Sequence, residues 1–260
     1  MENYSNIILH IPHASQNLPD NFFKNKEGKE LLMKESSPLI DYFTDDLFRP
    51  SVKYDRRFKM LVAHYCRTLL DVERLKNDPL EKRGMGILYG KGERRSLFAL
   101  KDGIDELMLS YYDDYNDKAA EIIRSCSFPL IIDCHSFSSH STKLVEMTPE
   151  MAEIDICLGY NEDETRPSDD FIDIVEKHFA AYGYNVARNR PFSNSKTFDT
   201  GNYPHHSLMI EINKKLYMNE ETLEKTAGFN RLQNCLFDLY DTILDINPSA
   251  SKVEESQTLQ

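Results

Sequence analysis

Residues 129–137 read PLIIDCHSF, a short apolar run that leads into polar side chains. Residues 129–133 predict a strand that is buried on both faces, as the strands of a parallel sheet are. The strand runs into His135, which we therefore expect at or just past its carboxyl end. Ligands of open α/β sheets bind beyond the carboxyl ends of the strands, so this stretch indicates where a site would lie.

The rest of the chain alternates short apolar runs with longer amphipathic stretches. Further strands are predicted at residues 7–9, 60–65, 154–160, 184–187 and 207–212. Apolar residues three and four positions apart, with cap signals, predict helices at residues 37–47, 104–123, 169–182 and 219–246. This alternation predicts an α/β fold, with a central, mainly parallel sheet and helices on both faces. The length suits a single domain over residues 1–247, and we expect the polar tail at residues 248–260 to be disordered.

The composition bounds the partners of the protein. The chain has 260 residues and a formal net charge of −12. Affinity for nucleic acid rests on clustered Lys and Arg, so this balance argues against a nucleic-acid partner. It stays compatible with a small anionic ligand, since a local pair of arginines can dominate inside a pocket. No apolar run approaches the roughly 20 residues that cross a bilayer, so we expect no membrane partner.

The cysteines and the first ten residues indicate the cellular compartment in which we expect the protein. The five cysteines are scattered, and no Cys-x-x-Cys pair occurs. This pattern argues against a disulfide framework and against a cysteine-bound zinc, and it favours buried free thiols. The first ten residues, MENYSNIILH, lack a basic segment followed by a long apolar run, unlike a signal peptide. We therefore expect a cytoplasmic protein.

Three predicted strands end beside side chains that carry chemistry. One strand leads into His10 and His13, a second leads into His135, and a third holds Glu211 between two isoleucines. A single histidine at a strand end is more often structural, and a buried glutamate often pairs with an arginine in the core. Histidines from two strand ends together with a carboxylate on a third are less easily explained in this way. We therefore interpret Glu211 as a general base whose pKa is raised by burial.

Two histidines and a carboxylate form a ligand set that catalytic zinc uses, with water in the fourth position. We take His13 and His135 as two of the ligands. Residues 41–48 read DYFTDDLF and offer Asp41 and Asp45 on one face of the predicted helix, and we choose Asp45 as the third ligand. The alternative for Asp45 is a solvated helix carboxylate, and ligands of this kind also accept other divalent metals.

Arginines near the predicted site are candidates for binding an anionic substrate. Arg67 and Arg74 follow an apolar strand with Asp71 between them, and Arg190 lies in the polar loop before Glu211. A guanidinium binds a carboxylate through two parallel hydrogen bonds. The alternatives are a surface Arg–Asp pair, which contributes little, and a surface position for Arg190.

Five segments, taken in order, resemble the N-formylglutamate amidohydrolase family. They are HIPHAS, DYFTDDLF, AHYCRTLLDVER, IIDCHSF and, at the end, RPF followed by HHSLMIEINKKLYM. The resemblance spans about residues 7–218, and the five segments together are fairly specific although each is weak alone. It implies a fold like that of the zinc carboxypeptidases and aspartoacylase-type deacylases, a three-layer α/β/α domain with a mixed, mainly parallel sheet.

The resemblance also implies roles for individual residues. Zinc would be held by His13, a carboxylate and His135, with Glu211 as general base. Arg67 would polarise the scissile carbonyl, and Arg74 would hold a substrate carboxylate. The expected function is zinc-dependent hydrolysis of an N-acyl acidic amino acid such as N-formyl-L-glutamate, which releases formate and the amino acid.

One position departs from the family pattern. Where the family tends to read Asp-Leu-Asn-Arg, residues 71–74 read Asp-Val-Glu-Arg. Ionised glutamate only accepts hydrogen bonds, so Glu73 in the pocket would repel an anionic substrate or neutralise Arg74. The alternatives for the function are therefore another N-acyl amino acid deacylase, a carboxypeptidase on the same scaffold, and a non-catalytic metal-binding protein.

Overall fold

A six-stranded sheet forms the centre of the computed structural model, which describes residue 4 and residues 6–51, 57–141, 146–196, 198–201 and 203–245. Its strands are β1 Asn6–Ile11, β2 Phe58–Val62, β3 Pro129–Phe137, β4 Ile156–Gly159, β5 Val186–Arg188 and β6 His206–Asn213. They lie in the order β2-β1-β3-β6-β4-β5. The strands β2, β1, β3 and β6 run parallel, whereas β4 pairs with β6 in the antiparallel sense and β5 runs parallel to β4. The predicted mixed, mainly parallel sheet is confirmed.

The strand β3 lies inside the sheet, between β1 and β6, and all nine of its residues are buried. The predicted strand, buried on both faces, is therefore confirmed. It extends past residue 133, because residues 134–137 continue the pairing with residues 210–213 of β6. In this register His135 lies opposite Glu211 on the neighbouring strand, so two candidate residues are adjacent.

Helices cover both faces of the sheet. They are α1 Lys26–Ser36, α2 Thr44–Leu47, α3 Glu93–Ser96, α4 Ile104–Arg124, α5 Pro149–Ala152, α6 Asp169–Ala181 and α7 Gly228–Asp245. The ring of Phe58 on β2 packs on Tyr240 of α7, with centroids 4.7 Å apart. The next residue, Lys59, donates a hydrogen bond from Nζ to Oγ of Ser125 at the end of α4, at 2.9 Å. Alternate side chains of a strand point to opposite faces, so α7 and α4 lie on opposite sides and the fold has three layers.

Apolar stripes anchor the long helices, as their spacing predicts. The stripe of α7 is completely buried and consists of Leu232, Leu236, Leu239 and Ile243. The helix α6 begins after Ser168, whose side chain accepts a hydrogen bond from the Phe171 amide as an N-cap does. It ends before Gly183, which has a φ of 86° and takes the left-handed conformation that glycine tolerates after a helix.

The helix predicted at residues 37–47 is wrong over its middle. A 3-10 turn, Ser37–Leu39, is followed by an extended Ile40, and α2 begins only at Thr44. The backbone groups that a helix would use are bonded elsewhere. The Asp41 amide donates to the His13 carbonyl at 3.0 Å, and the Ile40 carbonyl accepts from Lys214 Nζ at 2.7 Å. Long-range contacts therefore override the local helical pattern.

The helix predicted at residues 219–246 begins nine residues late, at Gly228. The preceding residues form a small hairpin of β7 Met218–Asn219 and β8 Glu224–Lys225. The side chain of Asn219 accepts hydrogen bonds from the amides of Glu221 and Thr222, at 2.8 and 3.0 Å. Such side-chain bonds to nearby amides compete with helix formation. The helix α1, capped by Asn25, has no counterpart among the predicted helices.

The cysteines agree with the prediction from the sequence, because all five are buried free thiols. The predicted disordered tail, residues 248–260, lies outside the described residues. Among the described residues, none of the helices has the length and apolar character needed to cross a membrane.

Candidate active site

The candidate residues converge at the carboxyl edge of the four parallel strands. His13 follows β1, Arg67 and Arg74 follow β2, and His135 and Glu211 lie near the ends of β3 and β6. Together these residues line a cavity of about 210 Å³. Its apolar wall is formed by Leu39, Met85, Phe137, Met147, Phe192 and Met209. The site therefore lies where parallel α/β sheets bind ligands.

His13, His135 and Asp41 direct three ligand atoms at one point. Nδ1 of His13 lies 3.2 Å from Nδ1 of His135, and Oδ2 of Asp41 lies 3.2 Å from the second nitrogen and 3.7 Å from the first. Zinc with bonds near 2.0–2.1 Å in tetrahedral geometry would hold its ligand atoms about 3.3 Å apart. All three side chains are buried. The number, type and spacing of these ligand atoms fit a zinc ion.

A carboxylate lies beside the far nitrogen of each imidazole. Nε2 of His13 is hydrogen-bonded to Oδ1 of Asp71 at 2.9 Å. Nε2 of His135 lies 3.0 Å from Oδ1 of Asp133, but the two atoms are not aligned for a hydrogen bond. Oδ1 of Asp133 instead accepts a hydrogen bond from Nδ1 of His10 at 2.7 Å. Histidines that bind a metal are usually oriented by such carboxylates on the far nitrogen.

Two other groups of possible ligands share Glu73. One joins it to His13 and Asp71, and the other joins it to Asp133 and His135. Each contains a single histidine beside two carboxylates. The group of His13, His135 and Asp41 combines two histidines with one carboxylate, and it therefore matches catalytic zinc better.

Asp41, rather than Asp45, stands beside the two histidines. Asp45 is only half-buried and is not among the residues that line the cavity. The two aspartates do not share a helical face, because the chain turns between them with Phe43 in the left-handed conformation at a φ of 65°. The Asp41 carbonyl accepts a hydrogen bond from Oγ1 of Thr44 at 2.8 Å, which closes this turn.

Glu211 faces the cavity as a buried carboxyl group. Its Oε2 has no hydrogen-bond partner among the described residues. Burial raises the pKa of Glu211 to about 8, and the nearby charges of Asp41 and Glu73 act in the same direction, whereas His135 opposes them. A carboxyl group with such a pKa both accepts and returns a proton near neutral pH.

The two arginines of the cavity differ in how many hydrogen bonds they make to the protein. Arg67 donates to Oδ2 of Asp71 at 2.9 Å and to the Leu39 carbonyl at 3.3 Å, so the protein holds it in place. Nε of Arg74 has no hydrogen-bond partner in the described part of the chain, and Oδ2 of Asp71 lies 3.5 Å away. Arg74 therefore has donors left for an anion.

Glu73 points into the site and contacts cationic and imidazole groups. Its carboxylate oxygens lie 3.2 Å from Nε2 of His135 and 3.3 Å from Nε2 of His13, and Oε2 lies 3.6 Å from Arg74. The pKa of Glu73 falls to about 2, because its interactions with His135, His13 and Arg74 outweigh the effect of burial. An ionised glutamate thus borders the candidate anion site.

Arg190 is not brought into this arrangement. It is exposed, and it is absent from the residues that line the cavity, although Phe192 and Ser193 of the same loop do line it. Sequence reasoning missed Asp133 as a partner of His135 and Lys214 as a lining residue. Their positions in the sequence were the signal that could have found them. Asp133 lies on the strand that carries His135, and Lys214 directly follows the strand that carries Glu211.

The fold and the site together describe a three-layer α/β protein with a cavity of histidines, carboxylates and arginines at the carboxyl edge of its sheet. The model of the N-formylglutamate amidohydrolase family matches residues 5–218, and the chain belongs to this family. Membership indicates an amidohydrolase that acts on a small amino-acid derivative.

Two solved structures share the fold of this chain. The structure of N-formylglutamate amidohydrolase from Ralstonia eutropha JMP134 is similar, with a TM-score of 0.68, 20% identity and coverage of 96% of each chain. A gene product of Agrobacterium tumefaciens gives a TM-score of 0.58 at 17% identity, with coverage of 92% of each chain. No curated protein matches the sequence. At these identities the structures show a common fold.

Proposed function

We propose that the protein hydrolyses the amide bond of N-acyl acidic amino acids such as N-formyl-L-glutamate, with a zinc ion held by His13, Asp41 and His135. The observation that carries this proposal is the convergence of three ligand atoms within 3.7 Å of one another. Glu211 lies on the next strand, in register with His135. Membership of the N-formylglutamate amidohydrolase family supports the substrate class.

A bound zinc ion would supply a Lewis acid that activates water and polarises a carbonyl. Glu211 takes the proton of the attacking water on a carboxylate oxygen and returns it to the nitrogen of the leaving amine. Burial raises the pKa of Glu211 to about 8 in the metal-free protein, and the charge of a bound dication would lower it towards neutral pH, where the group can both accept and return a proton. The burial of Glu211 keeps this proton from bulk water.

The arginines would bind charge on the substrate and on the intermediate. Arg67 is fixed by Asp71 and by the Leu39 carbonyl, and a fixed guanidinium stabilises developing negative charge without reorganising. Arg74 lines the cavity and has only longer contacts to Asp71 and Glu73, so it would bind a substrate carboxylate. We leave Arg190 out of the proposal, because its side chain is exposed outside the cavity.

A second candidate function is hydrolysis of other N-acyl amino acids. The position of Glu73 favours it, since this carboxylate lies 3.6 Å from Arg74 and would repel a second anion there. A substrate panel separates the two candidates: N-formyl-L-glutamate, N-formyl-L-leucine, N-acetyl-L-glutamate and a short peptide, each followed by release of the free amine. We expect the highest kcat/KM for N-formyl-L-glutamate. A higher value for the leucine derivative would favour the second function.

We further propose a cytoplasmic location. All five cysteines are buried free thiols, and such thiols persist in reducing compartments. Fractionation of the native host followed by detection of the protein tests this proposal, and recovery outside the cytoplasmic fraction would contradict it.

A further inference from the structure

An acidic N-acyl amino acid brings two carboxylates into the cavity, one on its backbone and one on its side chain. Among the residues that line the cavity, the lysines and arginines are Arg67, Arg74 and Lys214. Arg67 is already bonded to Asp71 and to the Leu39 carbonyl. Arg74 has only longer contacts, at 3.5 Å to Asp71 and 3.6 Å to Glu73, so Arg74 and Lys214 are the two cations more readily available to two carboxylates.

Lys214 is a buried ammonium group with unused donors. It follows β6 directly, three positions after Glu211, and only 4% of the residue is exposed. Its Nζ donates to the Ile40 carbonyl at 2.7 Å, and that is its single hydrogen-bond acceptor among the described residues. An ammonium group carries three donors, so two remain. Unused donors on a buried cation are costly unless something accepts from them.

The position of Lys214 separates it from Arg74. Lys214 lines the cavity that contains Glu211 and also a second cavity of about 490 Å³, and Ser138 and His140 line both as well. The lining of the second cavity does not include Arg74. A substrate whose α-carboxylate meets Arg74 could therefore extend its side chain past Glu211 towards the junction of the two cavities, where Lys214 lies.

Lys214 lacks a close anionic partner. Burial lowers the pKa of Lys214, and the carboxylates of Asp41, Glu220 and Glu211 offset this only in part. None of these carboxylates forms an ion pair with Nζ within 4 Å in the described part of the chain. A substrate carboxylate at hydrogen-bond distance would be nearer than any of them and would hold the proton on Nζ.

We propose that Lys214 binds the side-chain carboxylate of the substrate and thereby makes the enzyme selective for acidic N-acyl amino acids; this inference rests on the proposed function. Arg74 then binds the α-carboxylate at the other side of the reacting amide. The proposal also accounts for how an acidic substrate is accepted despite Glu73, because the second anion binds away from that carboxylate.

The test compares two substrates that differ only in the side-chain charge, N-formyl-L-glutamate and N-formyl-L-glutamine, on the zinc-loaded full-length protein. Wild-type protein should prefer the glutamate derivative in kcat/KM by roughly 10- to 100-fold, as loss of a charged hydrogen bond implies. Lys214→Met also loses the hydrogen bond to the Ile40 carbonyl, which should lower kcat/KM for both substrates alike, so the readout is the ratio of the two values. This ratio should fall towards one, mainly because KM rises further for the glutamate derivative. The control, Lys215→Met, should keep the preference, since Lys215 is exposed and donates instead to the Ala152 carbonyl at 2.7 Å.

Equal losses on both substrates in Lys214→Met would overturn the inference, since they would show that Lys214 acts only by holding the Ile40 segment. A wild-type protein that hydrolyses both substrates equally well would also overturn it, and this measurement needs no variant. Lys214→Arg offers a second variant that keeps the charge, and it should retain part of the preference. If wild-type protein hydrolyses neither substrate, the proposed function itself fails, and the inference fails with it.

Discussion

Replacement of Glu211 by glutamine should make the metal-free protein more stable at neutral pH while it removes the general base. Burial, together with Asp41 and Glu73, raises the pKa of Glu211 from 4.5 to about 8. The folded protein therefore keeps a proton that the unfolded chain releases above pH 4.5. The stability that depends on this proton is fully present below pH 4.5 and is lost as the pH rises towards 8.

The size of the effect follows from the same values. Between pH 4.5 and pH 7 the carboxyl group lowers the free energy of unfolding by about 1.4 kcal/mol for each pH unit, which amounts to about 3 kcal/mol at pH 7. Glutamine keeps the shape of the neutral carboxyl group and has no proton to release. For a chain of this size, about 3 kcal/mol corresponds to a rise in Tm of roughly 6–12 °C.

The assay is thermal unfolding of the metal-free protein, followed by circular dichroism from pH 4 to pH 8. Wild type and Glu211→Gln should have similar Tm at pH 4 and should diverge as the pH rises. Glu220→Gln is a control of opposite sign: hydrogen bonds from Ser138 and Ser139 lower the pKa of Glu220 although burial acts against them. That variant should therefore lose stability at pH 7.

The Glu211→Gln variant also tests the catalytic role of Glu211. With zinc restored, Glu211→Gln should lower kcat by about 10²- to 10⁴-fold, the usual contribution of a general base. The reasoning would be refuted by a metal-free Glu211→Gln protein that is less stable than wild type at pH 7. It would also be refuted by turnover that survives the substitution.

Three further substitutions test the remaining parts of the site. Asp41→Asn should weaken zinc binding, measured by competition with a chelator, by more than about 100-fold, because a direct ligand contributes more than an outer hydrogen bond. Asp45→Asn should leave the zinc affinity unchanged. If Asp45→Asn weakens zinc binding and Asp41→Asn does not, Asp45 is the ligand. Asp71→Asn should weaken zinc binding by about 10- to 100-fold, since Asp71 orients His13 through a hydrogen bond of 2.9 Å, and unchanged affinity would exclude that role. Arg74→Met should raise KM for N-formyl-L-glutamate by roughly 10- to 100-fold with little change in kcat, because its guanidinium is proposed to bind the substrate in ground and transition states alike. A fall in kcat at constant KM would contradict this role.

The sheet could be predicted from the sequence because its signals are local and repeated. Short apolar runs alternate with amphipathic helices, and residues 129–133 are apolar enough to be buried on both faces. Parallel strands place their carboxyl ends at one edge, so His13, His135 and Glu211 could be expected together without any knowledge of register. The register of the two strands shows in addition that His135 and Glu211 lie side by side.

Asp41, the third ligand in our proposal, could not be predicted because its position depends on contacts between distant segments. The pattern of residues 37–47 is helical, and on a helix Asp41 and Asp45 would be equivalent. The chain leaves the helical path because Asp41 is bonded to the His13 carbonyl and the Ile40 carbonyl to Lys214, far away in sequence. Lys214 was overlooked for the same reason, since its burial becomes visible only when the segment at residues 37–43 folds over it.

Zinc dependence of the hydrolysis is the central claim, and one measurement tests it most directly: the metal content of the purified protein, together with formate release from N-formyl-L-glutamate before and after treatment with a chelator. The site of His13, Asp41 and His135 predicts one zinc ion per chain, loss of formate release when zinc is removed, and recovery when zinc is added back. Formate release at an undiminished rate from protein that has been shown to contain no metal would contradict the account.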